Sequence, residues 1–155
     1  SAHIKVDVEI HGLPAPDASR QDAGIPYQLS FEHSNAQTSF ENEINLDQKG
    51  TIYPDLVYDS ENQCYRTQNL ALFRMNDETG ELNADYCEHE LVLTEKGTNQ
   101  ELFRGVLYNY LMYNRSAIDV TKQEAELPIS IEFHGVDVEI KLPDWIIVDG
   151  QPDWN

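Results

Sequence analysis

The sequence predicts an all-β fold, an antiparallel β-sandwich with at most one short helix. Three observations carry that prediction. Segments in which every second residue is apolar recur at His3–Ile10, at Tyr27–Glu32 and twice within Leu127–Val148. Clusters of Gly, Pro, Asn and Asp punctuate the chain between them. No long amphipathic stretch alternates with these segments, as a parallel βαβ fold would require.

The clearest stretch is LPISIEFHGVDVEIKLPDWIIV, Leu127–Val148. Ile129, Ile131 and Phe133 alternate with Ser130, Glu132 and His134; Val136, Val138, Ile140 and Leu142 alternate with Asp137, Glu139 and Lys141. Strict alternation puts the apolar side chains on one face of a pleated strand. Gly135 supplies a tight turn or bulge between the two strands. Pro143 cannot donate to a ladder and ends the second one. The apolar tail Trp145, Ile146, Ile147 and Val148 follows.

From the amino end, Ile4, Val6, Val8 and Ile10 alternate with Lys5, Asp7 and Glu9, a strand with one wet face. Gly12 and Pro14 stop it, and LPAPDASRQDAG is a loop by its residue types. Tyr27, Leu29 and Phe31 mark the next strand, and Ile44 with Leu46 a short one. Leu56, Val57 and Tyr58 are too short a run to assign. Thr67–Met75 reads as a strand with two apolar faces, which suits a central position. Asn76–Gly80 is a turn, Glu90–Thr94 a strand and Lys96–Asn99 another turn. Phe103, Val106, Leu107, Tyr110 and Leu111 fall at helical spacing, so Leu102–Asn114 is predicted as a short helix. Gly105 opposes that reading, and Val, Tyr and Phe favour strands.

A chain of 155 residues is one domain, here a single sandwich over residues 1–155. Its 28 acidic and 10 basic residues give a formal charge of -18. That balance opposes binding to nucleic-acid phosphates and to anionic membranes. No apolar run reaches the roughly 18 residues of a membrane span, and SAHIKVDVEI has no signal-peptide pattern. A mature form, an excised domain and a cytoplasmic protein are all compatible with that start.

Cys64 and Cys87 match no zinc, haem or thioredoxin spacing. They are either a disulfide or two separate thiols, and export would favour the disulfide. Joined, they close a loop of roughly 24 residues, worth on the order of 3 kcal/mol. The histidines are His3, His11, His33, His89 and His134, and none forms a paired-ligand motif. Cys87-Glu88-His89-Glu90 can be drawn as a metal cluster, but alternation splits it across two strand faces, so a surface or edge strand is the better reading. Asn76, Asp77, Glu78, Asn83 and Asp85 offer oxygen atoms without the spacing of a calcium loop, and read as a solvated turn. No nucleophile elbow, phosphate loop or dinucleotide fingerprint is present, so no catalytic, metal or cofactor residue is assigned. Tyr108, Tyr110 and Tyr113, with Trp145 and Trp154, suit a sugar-stacking platform or a protein contact, but the core is the better reading because aromatic rings bury large areas. Asn114-Arg115-Ser116 is a glycosylation sequon.

GVLYNYLMYN, a polar spacer, and then ELPISIEFHGVDVEIKLPDWIIV resemble the end of the second domain of FimB-type fimbrial anchor proteins. The family's short apolar segment corresponds to Tyr110-Leu111-Met112, its spacer to Asp119–Glu126, its Phe-ending strand to Ile129–Phe133 and its Trp-bearing last strand to Val136–Val148. HIKVDVEIHGLP is similar to the strand and turn that open that domain. The likeness covers about a third of the chain, which lacks the family's lipidated cysteine and is too short for both of its domains. The resemblance implies a transthyretin-like sandwich, the carboxy-terminal domain of a longer exported surface protein. It further implies an oxidised Cys64–Cys87 pair, no cofactor, no enzymatic activity and fimbrial subunits as partners. Membrane attachment would run only through a lipid anchor outside these residues. Within that reading Trp145, Ile146, Ile147, Val148 and Trp154 are the candidate contact tail. A glycan-binding surface module is the alternative.

Overall fold

The computed structural model describes residues 3–17, 24–34, 50–68, 70–73, 89–114, 116–118, 126–144 and 146. Alternating residues build its strands as expected. β1 (His3–His11) turns Ile4, Val6, Val8 and Ile10 into the core, where each is 1% exposed or less. β2 (Tyr27–Ser34) buries Tyr27, Leu29 and Phe31 in the same way. The remaining strands are β3 (Gly50–Ile52), β4 (Leu56–Asp59), β5 (Cys64–Thr67), β6 (Leu70–Phe73), β7 (Glu90–Glu95), β8 (Glu101–Val106), β9 (Glu126–His134) and β10 (Asp137–Lys141).

Two sheets result. The larger runs β10-β9-β1-β5-β4, with β6 also paired to β1; the smaller runs β3-β2-β7-β8. Ile4, Val8, Ile10, Ile129 and Ile131 of the larger sheet share one buried cluster with Leu29, Phe31, Leu91 and Leu93 of the smaller. Tyr27 and Tyr65 meet edge to face across the gap, ring centroids 5.2 Å apart. Among the described residues the strand pairings are antiparallel except within the larger sheet, where β1 pairs β9 in parallel, Val8 beside Ile129 and Ile10 beside Ile131. Alternation reports which face a strand buries but not which strand it pairs with, so this pairing had no sequence signal.

Two expectations need correction, and one unassigned run proves to be a strand. Leu102–Val106 is not helical: it belongs to β8, and α1 begins only at Leu107 and ends at Tyr113. The helical spacing joined half-buried Phe103 and exposed Val106 of the strand to the buried helix face of Leu107, Tyr110 and Leu111. Gly105 belongs in the strand because the Phe103 ring covers it; a Cβ there would stand 2.8 Å from the ring. Thr67–Met75 is not one central strand, because β5 ends at Thr67 and β6 begins at Leu70, with Ala71 exposed. Leu56–Tyr58 does form a strand, joined to β5 through a turn that Asp59 holds by accepting from the Glu61 and Asn62 amides at 3.1 and 3.2 Å. The expected strand at Ile44 and Leu46 and the turn at Asn76–Gly80 lie outside the described residues.

Candidate functional site

Three surfaces offer contacts. The first is the set of sheet edges. Among the described residues, β10, β4 and β6 each have a neighbour on one side only in the larger sheet, and β3 and β8 in the smaller. A strand paired on one side leaves backbone donors and acceptors turned outward on the other. β10 meets β9 from Asp137 opposite His134 to Lys141 opposite Ser130. Gly135, at φ +67, makes the turn between them, and Val136 beside it is 98% exposed.

The second is a hollow of about 300 Å³ lined by Gly105, Val106, Asn109, Tyr110, Tyr113, Asn114 and Ile140. Of the three tyrosines singled out in the sequence, only Tyr113 projects, at 88% exposed. Tyr108 is half-buried against the core. Tyr110 is buried, and its hydroxyl donates to the Pro128 carbonyl at 2.7 Å and lies 3.2 Å from the Lys141 carbonyl. Burial raises its pKa above the ordinary tyrosine value. Tyr110 therefore ties the helix to the end of the larger sheet and is no platform.

The third is the outer face of that sheet. Alternation predicts a wet outer face for β1, yet Glu9 is 5% exposed and Ser130 is 1% exposed. Glu9 stands opposite Arg66 on β5 and beside Ser130 on β9; His11 stands opposite Cys64 and beside Glu132. These neighbours pair. Glu9 Oε1 is 2.9 Å from His11 Nε2, and its Oε2 is 3.1 Å from Arg66. Arg66 Nε reaches Asp59 at 2.9 Å, and Lys141 reaches Glu132 at 3.2 Å and Asp144 at 3.0 Å. Hydrogen bonds from Asn62 and Arg66 pull the Asp59 pKa down to about 2. Burial pushes the Cys64 thiol up, opposed by the charge of Arg66. A cleft of about 380 Å³ opens between Glu9, His11, Asn62, Arg66, Glu132 and Asp144.

The sequence candidates distribute unevenly over these surfaces. Cys64 is a free, buried thiol at the start of β5, while Cys87, its expected disulfide partner, lies outside the described residues. In the tail, Ile146 is half-buried and donates its amide to the Pro143 carbonyl at 3.1 Å. Trp145, Ile147, Val148 and Trp154 lie outside the described residues, as do Glu88 and the acidic turn from Asn76 to Asp85. His89 is buried, not on the surface as the sequence suggested, and Glu90 lies 3.0 Å from Arg104 on the neighbouring strand. The polar cluster on the outer face was missed because its members are far apart in the chain. Its only sequence signal was that Glu9, His11 and Glu132 share the outward phase of their strands.

Among the described residues, a two-sheet sandwich whose outer strands have a neighbour on one side only, with a projecting Tyr113 ring, suits a binding or assembly role. The comparison with known families makes this specific. The profile of the fimbrillin-A associated anchor proteins Mfa1 and Mfa2 matches residues 1–150, and the chain belongs to that family. It is accordingly a non-enzymatic, exported cell-surface protein. The structure is similar to the fimbrial anchor protein Mfa2 from Porphyromonas gingivalis, with a TM-score of 0.57 and 17% identity over 95% of this chain and 48% of that one. A candidate adhesin from Bacteroides ovatus superposes with a TM-score of 0.57 and 15% identity over 94% of this chain and 48% of its own. Another, from Bacteroides thetaiotaomicron, gives 0.55 and 16% over 96% and 53%. At these identities the likeness is one of fold, and the chain spans about half the length of these structures. No curated protein sequence matches it.

Proposed function

We propose that this chain is one sandwich domain, the carboxy-terminal part of a longer surface protein that anchors or assembles a fimbrium. Its place in the anchor family carries the reading. The physical means is the open edge of β10, or of β4 on the far side of the same sheet. Backbone hydrogen bonds along such an edge supply affinity, and alternating side-chain pockets supply specificity. The tail from Trp145 to Val148, with Trp154, is the further contact candidate, inserted in a partner or paired with its own sheet. A transthyretin-like topology and attachment to the outer membrane through a lipid elsewhere in the protein complete this proposal. The test is a pull-down with the purified chain from the surface fraction of the producing organism, read by mass spectrometry. Enrichment of β-rich fimbrial subunits supports the reading; their absence refutes it.

Tyr113 favours a second reading. An exposed aromatic ring beside Asn109 and Asn114 pairs a stacking face with amide hydrogen-bonding groups, the combination a sugar requires. Glycan retention that is lost on Tyr113→Ala, with no fimbrial subunit captured, would establish a carbohydrate-binding module instead.

A further inference from the structure

Three metal-ligating side chains meet on the outer face of the larger sheet. Glu9 and His11 are two residues apart on β1, so both point outward. Cys64 lies directly opposite His11 in the β1–β5 ladder. One carboxylate oxygen of Glu9, one ring nitrogen of His11 and the Cys64 sulfur all lie within 4.8 Å of one another. The geometry points to a zinc-type transition-metal site formed by Glu9, His11 and Cys64.

The donor set selects the class of ion. Thiolate and imidazole favour zinc, cobalt or copper over calcium and magnesium, which take oxygen ligands. Tetrahedral zinc bonds of about 2.0–2.3 Å place ligand atoms roughly 3.3–3.8 Å apart, so closing the site takes side-chain shifts of about 1 Å. The Glu9–His11 contact at 2.9 Å is already close, and there a metal replaces the shared proton. Arg66 pairs with the other Glu9 oxygen at 3.1 Å, so the ion would engage Oε1, the oxygen that His11 already contacts. Three protein ligands leave one position for water, and the cleft lined by Glu9 and His11 gives access to it. The second ligating group, Glu132, His134 and Glu139, has no thiolate and two exposed members, so it serves as the control.

The site needs Cys64 reduced. A Cys64–Cys87 disulfide would occupy the same sulfur, so the two arrangements exclude each other. The whole chain, prepared without reductant, is first titrated for thiols after unfolding, then made metal-free and titrated with Co²⁺ and, in competition, Zn²⁺. The site predicts a reactive Cys64, one ion per chain and a thiolate-to-cobalt charge-transfer band. Cys64→Ser should abolish the band, and His11→Gln should weaken Zn²⁺ binding by at least about tenfold, the lower end of the loss seen for an outer-sphere partner. His134→Gln should change neither, and the folded state of each variant is checked by circular dichroism. Finding Cys64 oxidised would overturn the site. So would metal binding without the band, or binding indifferent to both ligand substitutions.

Discussion

The Val8 amide donates to the Thr67 hydroxyl oxygen at 3.0 Å, buried inside the larger sheet. The contact falls where β1 changes partners. Residues Glu9–His11 pair with β5, residues His3–Val6 with β6, and Val8 stands in the gap between them. A buried amide without a partner costs about 1–3 kcal/mol. Thr67→Val keeps the shape and removes the acceptor, so it should lower unfolding stability by about that much. Thr67→Ser should retain most of it. Urea denaturation of the three proteins decides.

Gly12 is a second fixed point. Its φ is +90, and an added Cβ would overlap the Phe133 carbonyl oxygen. Neither backbone can yield without disturbing β1 or β9. Gly12→Ala should therefore cost more than the roughly 1–3 kcal/mol of backbone strain alone. At Gly97 an added Cβ would meet no atom within 4 Å, so Gly97→Ala should be neutral or stabilising by up to about 1 kcal/mol. Thermal unfolding of both variants checks the contrast.

Arg66 is the cation that keeps the Glu9 carboxylate tolerable at 7% side-chain exposure. Breaking a fully buried pair costs about 3–5 kcal/mol, and the Arg66 head retains solvent, so Arg66→Ala should cost roughly 1–3 kcal/mol. A double-mutant cycle with Glu9→Gln should recover a coupling between the two. Independent, additive losses would show that Glu9 is satisfied by other groups.

Tyr65 and Tyr110 set an alkaline limit. Burial raises both pKa values, and neighbouring Tyr27 and Tyr58 add to the shift at Tyr65. The folded state then holds protons that unfolded tyrosines release near pH 10. Their contribution is complete below about pH 10 and is lost as pH rises towards the folded values. Unfolding midpoints measured across that range should fall. Tyr110→Phe should lessen the fall and cost about 1 kcal/mol at neutral pH through its lost hydrogen bond to Pro128.

Legibility followed the physics of each signal. Where one strand face is core and the other polar, as at Ile4–Ile10, Tyr27–Phe31 and Ile129–Phe133, alternation located the strand to within about three residues at either end. At Glu101–Tyr113 a strand runs straight into a helix, with Val106 in extended conformation at the junction, and a single period across both misread the first half. Tyr65 is a buried strand centre between Cys64 and Arg66, too short a pattern to stand out. The outer-face cluster joins Glu9 and His11 to Cys64 through a ladder, and pairing across such distances leaves no local trace. The family resemblance rested on the β9–β10 hairpin, the helix segment before it and the opening strand β1, where alternation is also clearest.

The central claim is assembly through an open sheet edge, and hydrogen–deuterium exchange of the chain alone and with a purified fimbrial subunit addresses it most directly. The account predicts slowed amide exchange concentrated in an edge strand, Asp137–Lys141 or Leu56–Asp59, on complex formation. Binding that leaves every edge strand exchanging as in the free chain would contradict it.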